Sequence, residues 1–237
     1  MQALGPGVPR VGALAGKDKF HHQPQRFLNF LARCSPMCGP IQRPAQARAT
    51  GWMEPMTLPL TFHPALSRPD LLAPPVEAAL RALPWADQVR VAAIDPALSD
   101  TAQFCEAYGV TPQESANCVV IAAKRGGDVT YAACMVTATT RANVNGLVRQ
   151  HLGARKASFG PVDVVTSLTG MEYGGITPIG LPADWRVLVD GLVAKSPSAV
   201  IGAGIRGAKL WLPGSLLAEL PSAEILPGLG VEAGEVG

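Results

Sequence analysis

The chain has 237 residues and is 48% hydrophobic, enough for one large domain or two small ones with a real core. Its formal charge of +2 is unevenly spread. Residues 1–52 carry seven basic side chains against Asp18 alone, so the remainder is net negative, which excludes a general nucleic-acid coat. No stretch reaches the roughly 18 consecutive apolar residues of a membrane helix, so we expect a soluble, cytoplasmic protein with no membrane partner.

The first segment, 1–55, mixes Gly, Pro, Gln and Arg with little periodicity, and reads as a disordered or mis-started N-terminal extension. Its acid-poor composition is similar to a transit peptide, but an upstream start, with Met53 or Met56 as the true beginning, is the favoured expectation. Cys34 and Cys38, with His21 and His22 upstream, lack the second ligand pair of a zinc site. Five cysteines at 34, 38, 105, 118 and 134, two of them inside apolar runs, point to a reducing compartment, no metal and no cofactor.

From residue 56 the pattern alternates. A helix is predicted over 74–83, with Pro75 in its first turn and Val76, Ala79, Leu80 and Leu83 on one face. "VRVAAI" (89–94) is a strand. Asp100 is placed to cap "TAQFCEAYG", and Gly109 to stop it. "CVVIAAK" and "TYAACMVT", separated by "RGGD", predict a hairpin. Further on come a helix over 143–153, a short strand "KASF", and a helix from Pro161 to Gly170. Strands "WRVLVD" (185–190), "SAVIGAG" (198–204) and "KLWLP", with a helix near 214–220, complete the domain. Hairpins mixed with helices predict an α+β fold with a mixed β-sheet, over 56–220. The Gly- and Glu-rich segment 221–237 reads as a flexible tail.

The chemistry-bearing motifs are sparse. "AVIGAGIRG" fits GxGxxG, but a strand rather than a helix follows, so it reads as a strand-to-loop crossing with Arg206 on its rim. No GxSxG elbow occurs, and the carboxylates Asp163, Asp184 and Asp190 are dispersed; Asp190, at a strand end, is the most interesting. The window 129–162 holds Arg141, Arg149, Arg155 and Lys156 with no acidic residue, a candidate contact for a phosphate backbone. In "MEYGGITPIGLP" (171–182), Gly174, Gly175, Pro178 and Gly180 control the backbone so closely that its exposed amides are candidate ligands for an oxyanion, carbonyl or ribose hydroxyl.

"GMEYGGITPIG" resembles the conserved loop of the YbaK/prolyl-tRNA synthetase-associated domains. "DTAQFCEAYGVTP", "NCVVIA", "NVNGLVRQHLGARKASF" and "VIGAGIRGAKLWLPGSLLAEL" are similar, in order, to that family's first helix, central strand, following helix and strand, and closing segment. The resemblance implies a barrel-like core surrounded by helices. It also implies a free-standing hydrolase that cleaves the ester of mischarged aminoacyl-tRNA, a second sieve where binding alone discriminates poorly. Partners would be the aminoacyl-tRNA acceptor end and an aminoacyl-tRNA synthetase. In such sites a substrate hydroxyl and a bound water attack while the protein supplies position and electrostatics. On this basis Gly174, Gly175, Thr177 and Asn117 are the expected catalytic residues. Ile176, Pro178, Gly180, Asp190, Gly202 and Arg206 are expected to bind substrate, and Arg149, Arg155 and Lys156 to bind tRNA. Ala116 departs from the family, many of whose members carry a lysine there; Lys156 and Arg206 are the candidates to replace its charge. The alternative is a non-catalytic tRNA or small-ligand binding module.

Overall fold

The computed structural model describes residues 58–232. The expected extension over 1–55 lies outside them, as do the histidines and cysteines before residue 50 and residues 233–237.

Local punctuation sets the first elements. Strand β1 (His63–Pro64) leads to helix α1 (Pro74–Ala82), which opens on proline and buries Val76 and Leu80, one turn apart, completely. Strand β2 (Arg90–Ala93) follows. The Asp100 carboxylate accepts from the Ala102 amide at 3.1 Å to start α2 (Thr101–Tyr108), and Gly109, at φ 67°, ends it. Strands β3 (Ala116–Arg125) and β4 (Asp128–Thr137) pair antiparallel across the Gly126–Gly127 turn.

Strand β5 (Thr140–Ala142) is followed by a π-helical turn, Val144–Val148, and a short α3 (Arg149–His151), where a regular helix over 143–153 was expected. The Asn143 side-chain oxygen explains the widened entry, since it accepts from both the Gly146 and Leu147 amides. Then come β6 (Lys156–Phe159), α4 (Val162–Thr169), β7 (Arg186–Val189), α5 (Gly191–Lys195), β8 (Ala199–Gly202) and β9 (Ala208–Leu212). A 3₁₀ helix, Gly214–Glu219, precedes β10 (Ala223–Ile225) and β11 (Gly230–Glu232).

Two sheets carry the fold. One is antiparallel, in the order β1-β2-β9-β8. The other is mixed, in the order β10-β7-β4-β3-β6, with β4, β7 and β10 parallel. The α+β class and mixed sheet are as expected. The barrel-like description needs correction, because among the described residues the strands form no closed barrel. Among the described residues an isolated bridge, Ser115 to Val200, joins the two sheets, with the Val200 amide donating to Glu114 O at 2.8 Å.

Alternation decides what each face buries. Ala133 and Met135 of β4, with Val187 and Val189 of β7, face the core between the sheets, against Ile201, Leu210, Leu212 and α1. Cys134, Val136 and Leu188 face the opposite way, onto Val148, Ala157 and Leu229. Central strands buried on both faces read as continuous apolar runs, which is why they were visible in the sequence. The outer face of the first sheet packs Val200 and Ile94 against Phe104 of α2.

The expected loose tail is also corrected over 221–232. Strand β10 adds to β7 in parallel, and β11 pairs with β5, the Gly230 amide donating to the Asp190 carboxylate at 2.8 Å. No helix among the described residues is long and apolar enough to cross a membrane.

Candidate functional site

The start of α2, the start of β3, the segment Tyr173–Ile176 and the β8–β9 crossing surround one cavity of about 470 Å³. A second, of about 670 Å³, adjoins it and shares Asp100, Thr101 and Asn117. The first is where the glycine-rich segment lies.

One wall of it is backbone. The Gly204 amide donates to Gly175 O at 2.7 Å, the Glu172 amide to Gly204 O at 2.8 Å, and the Arg206 amide to the Glu172 carboxylate at 2.7 Å. This lacing brings two main chains so close that side chains would not fit. A Cβ on Gly202 would lie 2.2 Å from Gly175 O, and one on Gly175 would lie 2.5 Å from the Ile205 carbonyl. Gly174 holds φ 87°, and the Arg206 guanidinium spans the rim, donating to Tyr173 O and Pro96 O. The Gly174 and Ile176 amides find no acceptor among the described residues, and both residues line the cavity.

The facing wall is side chain. Thr101 Oγ1 donates to Asn117 Oδ1 at 2.7 Å, which fixes the amide and leaves its nitrogen without a protein acceptor among the described residues. Ser99 is buried and its Oγ has no partner among the described residues. Lys209 of β9 is 8% exposed, donates to Ser99 O at 3.1 Å, and lies over the Phe104 ring, 5.3 Å from its centre. Burial pulls the Lys209 pKa below the ordinary lysine value, against the opposing influence of Cys105 and Asp100. The Cys118 thiol also lines the cavity, but burial, aided by nearby Cys134, pushes its pKa up, so it offers no thiolate nucleophile.

A backbone wall with free amides facing a polar wall, without an activated nucleophile, suits a substrate that carries its own attacking group. A family model for the aminoacyl-tRNA editing domain matches residues 95–220, more than half of the chain. The chain belongs to the aminoacyl-tRNA editing domain family. Its fold is similar to the crystal structure of a candidate trans-editing enzyme for prolyl-tRNA synthetase, with a TM-score of 0.57 at 18% identity over 65% of this chain and 94% of that one. It is also similar to hypothetical protein APE2540, with a TM-score of 0.58 at 20% identity over 66% of this chain and 99% of that one. At these identities the likeness speaks for the fold.

Within this editing domain, Asn117, Gly174, Ile176, Gly202 and Arg206 converge on the cavity, and Gly175 braces its backbone wall. Thr177, Pro178 and Gly180 do not line it. Thr177 is fully buried with its hydroxyl unpartnered among the described residues, Pro178 is buried, and Gly180 packs against α1, where a Cβ would meet Pro75 O at 2.5 Å. Asp190 is placed elsewhere too. One of its oxygens caps α5 by accepting from Leu192, and the other takes the Gly230 amide, so both are engaged in holding the chain together.

Arg155 and Lys156 are exposed beside Lys124, at the opposite end of β3 from Asn117. Seven residues of strand put that end roughly 24 Å from the cavity. Arg149 donates from Nε to Asn145 O on the π-helical turn. Ser99, Thr101 and Lys209 are among the lining residues that the sequence reading missed. The signal available for Lys209 was its place beside Trp211, on the second face of a strand that is apolar on the first.

Proposed function

We propose that this editing domain hydrolyses the ester of mischarged aminoacyl-tRNA, with the backbone of Gly174–Ile176 and Asn117 positioning the substrate. The observation that carries this reading is the pair of unpartnered amides, Gly174 and Ile176, on a segment clamped to 202–206. They are fixed before substrate arrives, and such donors stabilise charge that develops on an ester oxygen without reorganising. In the reaction, the oxygen of water bonds to the ester carbonyl carbon. The bond to the ribose oxygen then breaks, that oxygen takes a proton, and a free amino acid leaves. A neighbouring ribose hydroxyl orients the water, so the domain needs no nucleophile of its own.

The exposed Arg155 and Lys156, with Lys124, form a strip for the phosphates of the acceptor stem away from its reacting end. An aminoacyl-tRNA synthetase that releases the mischarged product is the natural partner in this reading.

The test is deacylation by the full chain over a panel of mischarged tRNAs. Release of amino acid from at least one of them, above the uncatalysed rate, is expected; a wholly inert panel overturns the proposal. Ala116, which gives the cavity wall a methyl group where a charge would serve chemistry, favours a second reading. The domain would then be a binding module, and aminoacyl-tRNA would bind saturably with no turnover.

A further inference from the structure

Lys209 has no reason to be where it is unless something enters the cavity. Along β9, Ala208, Leu210 and Leu212 face the core between the sheets, so Lys209 must lie on the other face, under α2. Its register partners, Ala92 on β2 and Gly202 on β8, leave it in the middle of the sheet, directly beside the backbone wall. There the residue is buried except where it borders the cavity, and it makes no ion pair among the described residues. Asp100, the N-cap of α2, gives one carboxylate oxygen to the Ala102 amide and forms no ion pair with Lys209.

A buried ammonium without a contacting ion pair is costly, and a ligand that brings a negative charge into contact with it offsets that cost. The Ser99 hydroxyl shows the same deficit. It is buried, without a partner among the described residues, and 3.3 Å from where a Cβ on Gly174 would stand. Two groups with donors to spare thus border the same cavity, tied together because Lys209 donates to the Ser99 carbonyl. Of the three ammonium protons only one has a protein acceptor among the described residues.

We propose that Lys209 and Ser99 form an anion-holding subsite of this cavity, donating together to an anionic oxygen of the substrate. The positive charge that Ala116 cannot give from β3 is supplied from β9. Arg206, the other cation at the cavity, is committed to two carbonyls and remains at the rim. Only the identity of the anion rests on the editing reading. Two oxygens share the required chemistry: those of the terminal phosphate of the acceptor end, present throughout, and that of the tetrahedral intermediate, present only during reaction.

The experiment compares the full-length wild type with Lys209→Met, Lys209→Gln and Ser99→Ala, and with Lys195→Met as an exposed control. Each is assayed for thermal unfolding, for binding of adenosine 5′-monophosphate and of adenosine, and for kcat and KM of deacylation. Lys209→Met is expected to lower kcat/KM roughly 100-fold, the size of effect seen when one preorganised donor is removed. It is also expected to keep or raise the melting temperature, because a buried charge has been replaced by an apolar chain of similar length. Ser99→Ala is expected to lower the same parameter several-fold. If the anion is the terminal phosphate, the loss falls on KM, and the monophosphate loses its advantage over adenosine. If it is the intermediate, the loss falls on kcat and nucleotide binding stays.

The proposal is overturned if Lys209→Met and Lys209→Gln keep wild-type kcat, KM and nucleotide binding. It is equally overturned if their losses only follow a lowered melting temperature. A wild type that deacylates nothing, yet binds the monophosphate in a Lys209-dependent way, would overturn the editing reading and leave the subsite standing.

Discussion

The segment Tyr173–Gly180 divides into two halves that look alike in sequence and do different work. In the first, Gly175 leaves room for a main chain and Gly174 for the Arg206 guanidinium, and Gly174 and Ile176, whose amides have no acceptor among the described residues, line the cavity. In the second, Gly180 also leaves room for a main chain, but the neighbour is the first turn of α1, and Thr177, Pro178 and Ile179 are buried beside it. Glycine spacing marks close backbone approach in both. What separates site from scaffold is whether the approached backbone borders open space.

Substitution at the two ends should break the segment in different ways. The largest effect is expected from Gly175→Ala, whose methyl would stand 2.5 Å from the Ile205 carbonyl, where no flexible side chain can yield. The segment must then move off 202–206 and carry the Gly174 and Ile176 amides with it. A displacement of about 1 Å costs roughly 100-fold in rate when position is the catalytic resource. Deacylation kinetics should show kcat/KM falling by at least that factor, more steeply than stability falls. Wild-type kinetics in this variant would mean that the backbone wall is not the site.

Gly180→Ala should show the reverse. Its methyl would meet Pro75 O at 2.5 Å and would have to adopt φ 87°, so the expected loss is stability, about 1–3 kcal/mol by denaturant titration. The folded fraction should retain its KM. If KM instead rises without loss of stability, the second half of the segment contacts substrate after all.

The elements were legible because they are locally signed. Asp100 and Gly109 mark the ends of α2, Gly126 and Gly127 mark a hairpin, and β4 and β7 are apolar on both faces because both are buried. Strands β10 and β11 were not legible, because each has only three residues and depends on partners far away in sequence, β7 and β5. The site was half legible for a related reason. Glycine spacing pointed to the backbone wall and the family resemblance to Asn117, whereas Ser99, Thr101 and Lys209 join Asn117 only where the two sheets meet near Ser115.

Asp190 gives a sharper version of the same comparison, since a carboxylate at a strand end reads equally well as catalyst or cap. Asp190→Asn preserves one acceptor for the Leu192 amide but turns an amide nitrogen towards the Gly230 N–H. The cost is expected to be about 1–2 kcal/mol of unfolding free energy, from one lost charge-assisted bond and one donor left facing another. Turnover per folded molecule should not change. A loss of turnover with unaltered unfolding would return Asp190 to the substrate.

The smallest effect on chemistry belongs to the basic strip at the far end of β3. Arg155 and Lys156 stand too far from the cavity to touch the reacting ester, but a tRNA acceptor stem is long enough to reach both. Replacing the pair by alanine should weaken binding of every tRNA by a similar, modest factor, because phosphate contacts carry no sequence information. The slope of log affinity against log salt should fall by about two, one for each lost contact, while kcat and adenosine 5′-monophosphate binding stay at wild-type values. An unaltered slope would confine tRNA recognition to the cavity and its rim. Arg206 would then be the cation to test, because it already spans the two backbone segments that form the cavity's first wall.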